Sequence, residues 1–151
     1  MSACRFLASD YPLPELAPSK EYPLEINIDM GEIYDGDADD NYFLLNFADV
    51  DYYSKKKYGV SLEWRYTDGR ARQLIEYIKT ALQKTKTIEF WHVWLMDYYE
   101  YEDRPFIHKK VISVDELTTE HIREFDGAVI WNTPDKMYPE RPSFYCLTIR
   151  R

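Results

Sequence analysis

The stretch from Thr87 to Met96 constrains the fold more than any other, because it is apolar on both sides of an extended backbone. Alternate side chains of a strand leave on opposite faces. Ile88, Phe90, Trp94 and Met96 then share one face, and Trp91, Val93 and Leu95 share the other. A strand apolar on both faces belongs inside a sheet that is covered on both sides. The rest of the chain has to supply strands along each edge of it and a layer of side chains above and below.

The chain has the means to do so. At 151 residues it matches one domain that buries roughly 70% of its unfolded surface. Its 14 Tyr, 7 Phe and 4 Trp make up 17% of the residues, and each ring can bury on the order of 150–250 Å². Covering layers can therefore be built from few residues.

Further strands follow from period-2 patterns. Cys4 to Ala8 suits a short first strand, after which Pro12, Pro14, Pro18 and Pro23 deny a helix or central strand and leave 9–23 as an extended surface segment. Leu24, Ile26 and Ile28 alternate with polar residues, and the turn at Asp29 to Glu32 leads into Ile33-Tyr34 as a hairpin. Tyr42 to Leu45 reads as a short buried strand, residues 46–58 carry no decisive period, and Val60, Leu62 and Trp64 mark another strand. Phe106 to Ile112 is expected to pair with 87–96 as a long-looped hairpin. Ala128 to Trp131 and Ser143 to Ile149 complete the strands, the latter closing the sheet after a loop punctuated by Pro134, Pro139 and Pro142.

Two helices are expected. Leu74, Ile75, Ile78 and Leu82 recur at helical spacing behind Asp68 as N-cap, with Lys79, Lys84 and Lys86 near the negative end, predicting a helix over 69–84. Ser113-Val114-Asp115-Glu116 has the capping-box pattern and predicts a second helix over about 114–125, with Thr118 as the alternative cap and Gly127 as the stop. Strands outnumber helices and do not alternate with them. The expectation is one α+β domain over 1–151, with a mixed or mostly antiparallel sheet of about six strands and two helices, and not a doubly wound nucleotide fold.

The net charge of −8, from 27 acids against 19 bases, argues against nucleic acid and anionic membrane as partners, since both are bound by Lys and Arg. It favours a basic protein, a cationic ligand or a divalent metal. Cys4 and Cys146 lack the spacing of a disulfide scaffold and read as reduced core thiols. No long apolar run resembles a signal peptide or a membrane span, and the expected location is cytoplasmic.

Candidate chemistry is sparse. Asp35, Asp37 and Asp39 have the spacing of the first three ligands of a calcium-binding loop, but Asp40 stands where Gly is needed and Asn46 where a bidentate Glu is needed. They remain weak metal candidates. His92, with Trp91 and Trp94, could floor a pocket in which a buried imidazole acts as base or ligand. Cys4, His92 and Cys146 would form a thiol–imidazole pair only if the strands carrying the two cysteines flank the central one. His108 and His121 read as structural.

The most conspicuous surface candidate interleaves rings and carboxylates: Tyr98, Tyr99, Glu100, Tyr101, Glu102 and Asp103 follow the central strand directly. Loops held by a scaffold carry binding residues, and Tyr is enriched at interface hot spots. Five dispersed glycines make no phosphate loop, and no nucleophile elbow, zinc spacing or cofactor motif is present. The favoured expectation is a non-enzymatic interaction protein, an acidic inhibitor or immunity-type protein that grips a basic partner. The alternatives are a small enzyme or ligand-binding domain built around His92, and a carbohydrate-binding module that stacks sugars on the tyrosines. The sequence does not predict an oligomeric state.

Overall fold

The computed structural model describes residues 2–17, 25–27, 29, 32–34, 43–64, 66–95, 101–127 and 142–151. Six strands form one mixed sheet: β1 (Ser2–Ser9), β4 (Phe43–Asn46), β5 (Tyr58–Glu63), β6 (Thr87–Leu95), β7 (Ile107–Ser113) and β8 (Phe144–Arg150). Their order is β4-β5-β1-β6-β8-β7. All neighbours are antiparallel except β7 and β8, which run parallel. Two short strands, β2 (Glu25–Asn27) and β3 (Glu32–Tyr34), pair antiparallel as the expected hairpin. The architecture is a single α+β domain, as the sequence pattern predicts.

The doubly apolar strand takes the interior position its composition requires. β6 is flanked by β1 on one side and β8 on the other. Ile88 and Phe90 enter one buried cluster, and Trp91 and Val93 enter a second on the opposite face.

The first layer is helical. Helix α2 (Asp68–Ala81) buries Ala71, Leu74, Ile75 and Ile78, and Leu82 follows at its C-cap. These residues meet Leu7, Leu62, Phe90 and Leu147 from the sheet. At about 1.5–3 kcal/mol for each fully buried large apolar side chain, an upper estimate, this stripe and not intrinsic propensity holds the helix. The cap is Thr67, whose hydroxyl accepts the Arg70 amide at 3.2 Å, and not the expected Asp68. Asp68 instead lies in the first turn, where its charge suits the positive helix end.

The second expected helix is split. Ser113 and Glu116 do form the capping box, but it opens a single 3-10 turn, Val114–Glu116. Helix α3 (Thr119–Gly127) starts afresh after it. Thr118 is its cap residue: its carbonyl receives the Ile122 amide, and its own amide donates to His121 Nδ1 at 3.1 Å. His121 thus does at the third helical position what Glu does in a capping box. The break lets Leu117 and Ile122 both reach the first core cluster.

Phe106 to Ile112 does not pair with β6. β8 lies between them, and β7 takes the parallel register Ile107↔Phe144 to Ser113↔Arg150. The physical reason is burial. Phe144, Tyr145, Cys146 and Leu147 are all buried, so β8 suits an inner position, whereas Lys109, Lys110 and the 55% exposed Val111 suit the rim. The expected strand at 128–131 lies outside the described residues.

The second layer is aromatic. The short helix α1 (Val50–Tyr53), in the stretch that showed no period, lies on the opposite face and buries Val50 and Tyr53. Phe6 is its hub, with ring centroids 4.6 Å from Phe47, 5.6 Å from Tyr53 and 6.0 Å from Trp91. Tyr53 also meets Phe144 edge-on at 5.7 Å. Val50 can sit this close to the sheet because Gly59 beneath it has no side chain; a Cβ there would lie 2.9 Å from Val50 Cβ and Cγ2. Among the described residues no helix is long and apolar enough to cross a membrane.

Candidate functional site

The arrangement of α1 on the aromatic face builds a cleft of about 360 Å³. One wall is Asp51, Tyr52 and Tyr53 of α1. The other is the segment Tyr101 to Pro105, which leads into β7, and Phe144 of β8 closes the end. Asp51, Glu102 and Asp103 are exposed, and Tyr52 is 48% exposed, so carboxylates and a ring face are open to solvent together.

Arg104 fixes the two walls to each other. The last carbonyls of a helix have no intrahelical partner, and here the guanidinium donates to Tyr53 O at 3.0 Å and to Tyr52 O at 2.5 Å. The cation in the cleft is thus engaged by α1, while Asp51, Glu102 and Asp103 are exposed to solvent. A positively charged side chain entering between them would meet opposite charge and ring faces at once.

Part of the sequence candidate is present here. Tyr101, Glu102 and Asp103 line the cleft, whereas Tyr98, Tyr99 and Glu100 lie outside the described residues. The sequence reading missed Asp51, Tyr52, Tyr53 and Arg104. An Asp49 followed by Val50-Asp51-Tyr52-Tyr53 is a usable helix start, but four residues are too few to set a period.

The His92 constellation is divided by the sheet. His92 is 4% exposed, on the α3 side, where its Nδ1 donates to Phe125 O at 3.2 Å and its ring meets Tyr145 and Phe125 edge-on. Trp94 lies 6.1 Å from it and, contrary to the expectation that it joins Phe90, packs against the aromatic cluster, while Trp91 stacks on Phe6 on the face opposite His92. Trp91 and His92 therefore do not floor a common pocket. Burial lowers the His92 pKa, more strongly than the Phe125 carbonyl raises it. Its Nε2 is buried with no hydrogen-bond partner among the described residues. On the strand next to it, Arg5 Nε stands 3.2 Å from Asp126 Oδ1, close enough to pair as ions but off the line of a hydrogen bond.

The strands carrying the cysteines do flank β6, yet the thiol–imidazole pair does not form. Cys4 lies opposite Val93 and Cys146 opposite Trp91, so both thiols are on the aromatic face and His92 is on the other. Two strand spacings, about 10 Å, separate β1 from β8, too far for a disulfide. Both thiols are free, and burial first of all raises Cys4 to about 11 and Cys146 to about 12.

His108 stacks on Tyr145 with centroids 4.9 Å apart, a packing role. Among the described residues no group of three or more His, Cys, Asp or Glu stands together as a metal site. Asp35, Asp37 and Asp39 lie outside the described residues. Comparison of the chain with family models, with characterised proteins and with solved structures finds no match, so the site is read from its own chemistry.

Proposed function

We propose that the chain is a non-enzymatic interaction protein whose acidic, tyrosine-walled cleft receives cationic side chains of a basic protein. The observation that carries this reading is the cleft between α1 and Tyr101 to Pro105, which three carboxylates line together with three tyrosines and where Arg104 is held by α1 carbonyls. A Lys or Arg over a tyrosine face gains about 0.5–2 kcal/mol, more as the pair is desolvated. Tyr98, Tyr99 and Glu100 precede Tyr101 in the chain and continue the same composition. The −8 charge adds long-range attraction that speeds encounter with a basic surface and weakens as salt rises.

An acidic inhibitor or immunity-type protein acting in the cytoplasm fits this reading, and two unpaired thiols on non-adjacent strands suit a reducing compartment. The test is a pull-down across a salt series with the wild type and a Glu102→Lys/Asp103→Lys variant side by side. One basic protein retained stoichiometrically at low salt, released as salt rises and lost from the variant is expected. Equal recovery by both proteins removes this cleft from the interface.

A further inference from the structure

On the helical side of the sheet a second and larger groove, about 870 Å³, runs between α2 and the extended segment 11–16. Its helix wall is a stripe at helical spacing: Gln73, Tyr77, Ala81 and Lys84. Gln73 to Ala81 covers eight residue steps, roughly 12 Å of helix axis, and Lys84 stands in the turn just past the helix end. The facing wall is Tyr11, Pro12, Pro14 and Leu16. The prolines have no amide donor, so this wall is apolar along most of its length.

The segment is secured through its C-terminal half and does not rest loosely on the helix. Tyr77 donates its hydroxyl to Pro14 O at 2.6 Å. Leu16 exchanges both backbone hydrogen bonds with Leu44 at 2.9 Å, extending the sheet edge, and Leu13 and Leu16 pack on the main core. The groove falls in the size range of small-molecule sites, about 300–1,000 Å³, and has their character, a largely apolar wall with a few polar groups.

Charge selects among apolar ligands. Two cations line the groove: Arg72, which is engaged in other interactions, and Lys84, near the end of α2, which makes no ion pair among the described residues. Glu76, the acid on this wall, is engaged by Lys79 at 3.5 Å. A monoanionic head with an apolar body therefore complements the groove. A multiply charged anion would meet Glu76 and the −8 charge of the chain, and an uncharged ligand would leave Lys84 unused.

We propose that this groove binds a free amphipathic monocarboxylate, its apolar body between Tyr11 and Tyr77 and its carboxylate at Lys84. This is a second binding activity, on the opposite layer of the domain from the acidic cleft and independent of it.

The test titrates the full chain with decanoate, decanol and decyltrimethylammonium below their micelle concentrations, reading backbone amide shifts by NMR. Decanoate is expected to shift Gln73, Tyr77 and Ala81 and to bind about tenfold or more tighter than decanol. Lys84→Glu, at an exposed position, should remove that preference and leave decanol binding unchanged. Ala81→Trp should fill the groove and abolish both. Decanol binding as tightly as decanoate, a Lys84→Glu variant that keeps the preference, tighter binding of the ammonium, or no shift at millimolar decanoate overturns the proposal. So does an uncharged proline-rich peptide that displaces decanoate from these amides, which would reassign the groove to a peptide.

Discussion

Gly59→Ala tests whether α1 stands on the sheet as described. Gly59 lies opposite Ala8 in β5 and outside the left-handed backbone region, so alanine is conformationally allowed there. Its effect must come from space. The new Cβ would sit 2.9 Å from Val50 Cβ and Cγ2 and 3.3 Å from Leu7 O. Carbons at rest stand about 3.5–4.0 Å apart, so the overlap is roughly 0.6–1.1 Å. Rotating the valine moves Cγ2 but not Cβ, so α1 or the strand has to yield.

Overpacking of this kind costs about 1–3 kcal/mol, and the reduced freedom of the unfolded chain returns about 0.4–1 kcal/mol. The expected net loss is about 1–2 kcal/mol, small beside the ~5–15 kcal/mol of a typical domain, so the variant still folds. Urea unfolding should show a lower midpoint with an unchanged slope. Val50→Gly removes both obstructing atoms. In that background only the 3.3 Å approach to Leu7 O remains, so most of the cost of the added methyl should disappear, giving a coupling energy of about 1–2 kcal/mol between the two positions. Wild-type stability for Gly59→Ala, or strictly additive costs in the double variant, would refute this account of how α1 is seated.

Two further measurements probe the buried titratable groups. Burial lowers the His92 pKa below its ordinary 6.5 in the folded chain, so folding favours the neutral ring; that contribution is complete above pH ~6.5 and is lost as pH falls below it, because the unfolded chain then takes up the proton first. Removing the titration with His92→Gln should flatten the acid limb of the stability profile, and identical limbs in the two proteins would show that His92 does not contribute to it. With Cys4 near 11 and Cys146 near 12, on the order of one thiol in a thousand or fewer is ionised at pH 8; both should react slowly with iodoacetamide in the folded protein and rapidly in urea, and fast native alkylation of Cys146 would contradict its burial.

What could be read from the sequence was what burial writes locally. The two faces of β6 and the apolar stripe of α2 repeat over enough residues to show a period. Pairing was harder to read. Phe106 to Ile112 resembles the second arm of a hairpin, and only the burial of four successive residues in β8 reveals that β8 comes between. The break at Leu117-Thr118 depends on one imidazole acting as a cap, which no apolar pattern records. At the site, Tyr101, Glu102 and Asp103 were visible as composition. Their neighbours on α1 were not, because a four-residue helix takes its place from Gly59 and Arg104, contacts distant in sequence.

The position of β8 also bears on how the protein acquires its structure. β6 and β7 follow one another in the chain, but β7 hydrogen-bonds within the sheet to β8, which is made later. β1 pairs with β6 far along the chain, from Ser2↔Leu95 to Ser9↔Ile88. Pairings this distant in sequence slow folding, because loop-closure entropy is lost before the contacts form. As the protein is synthesised, one edge of β6 waits without its partner while both its apolar faces have already emerged. Such an intermediate is prone to aggregate, so expression temperature and chaperone supply should govern the yield of folded protein more than the stability of the finished molecule does.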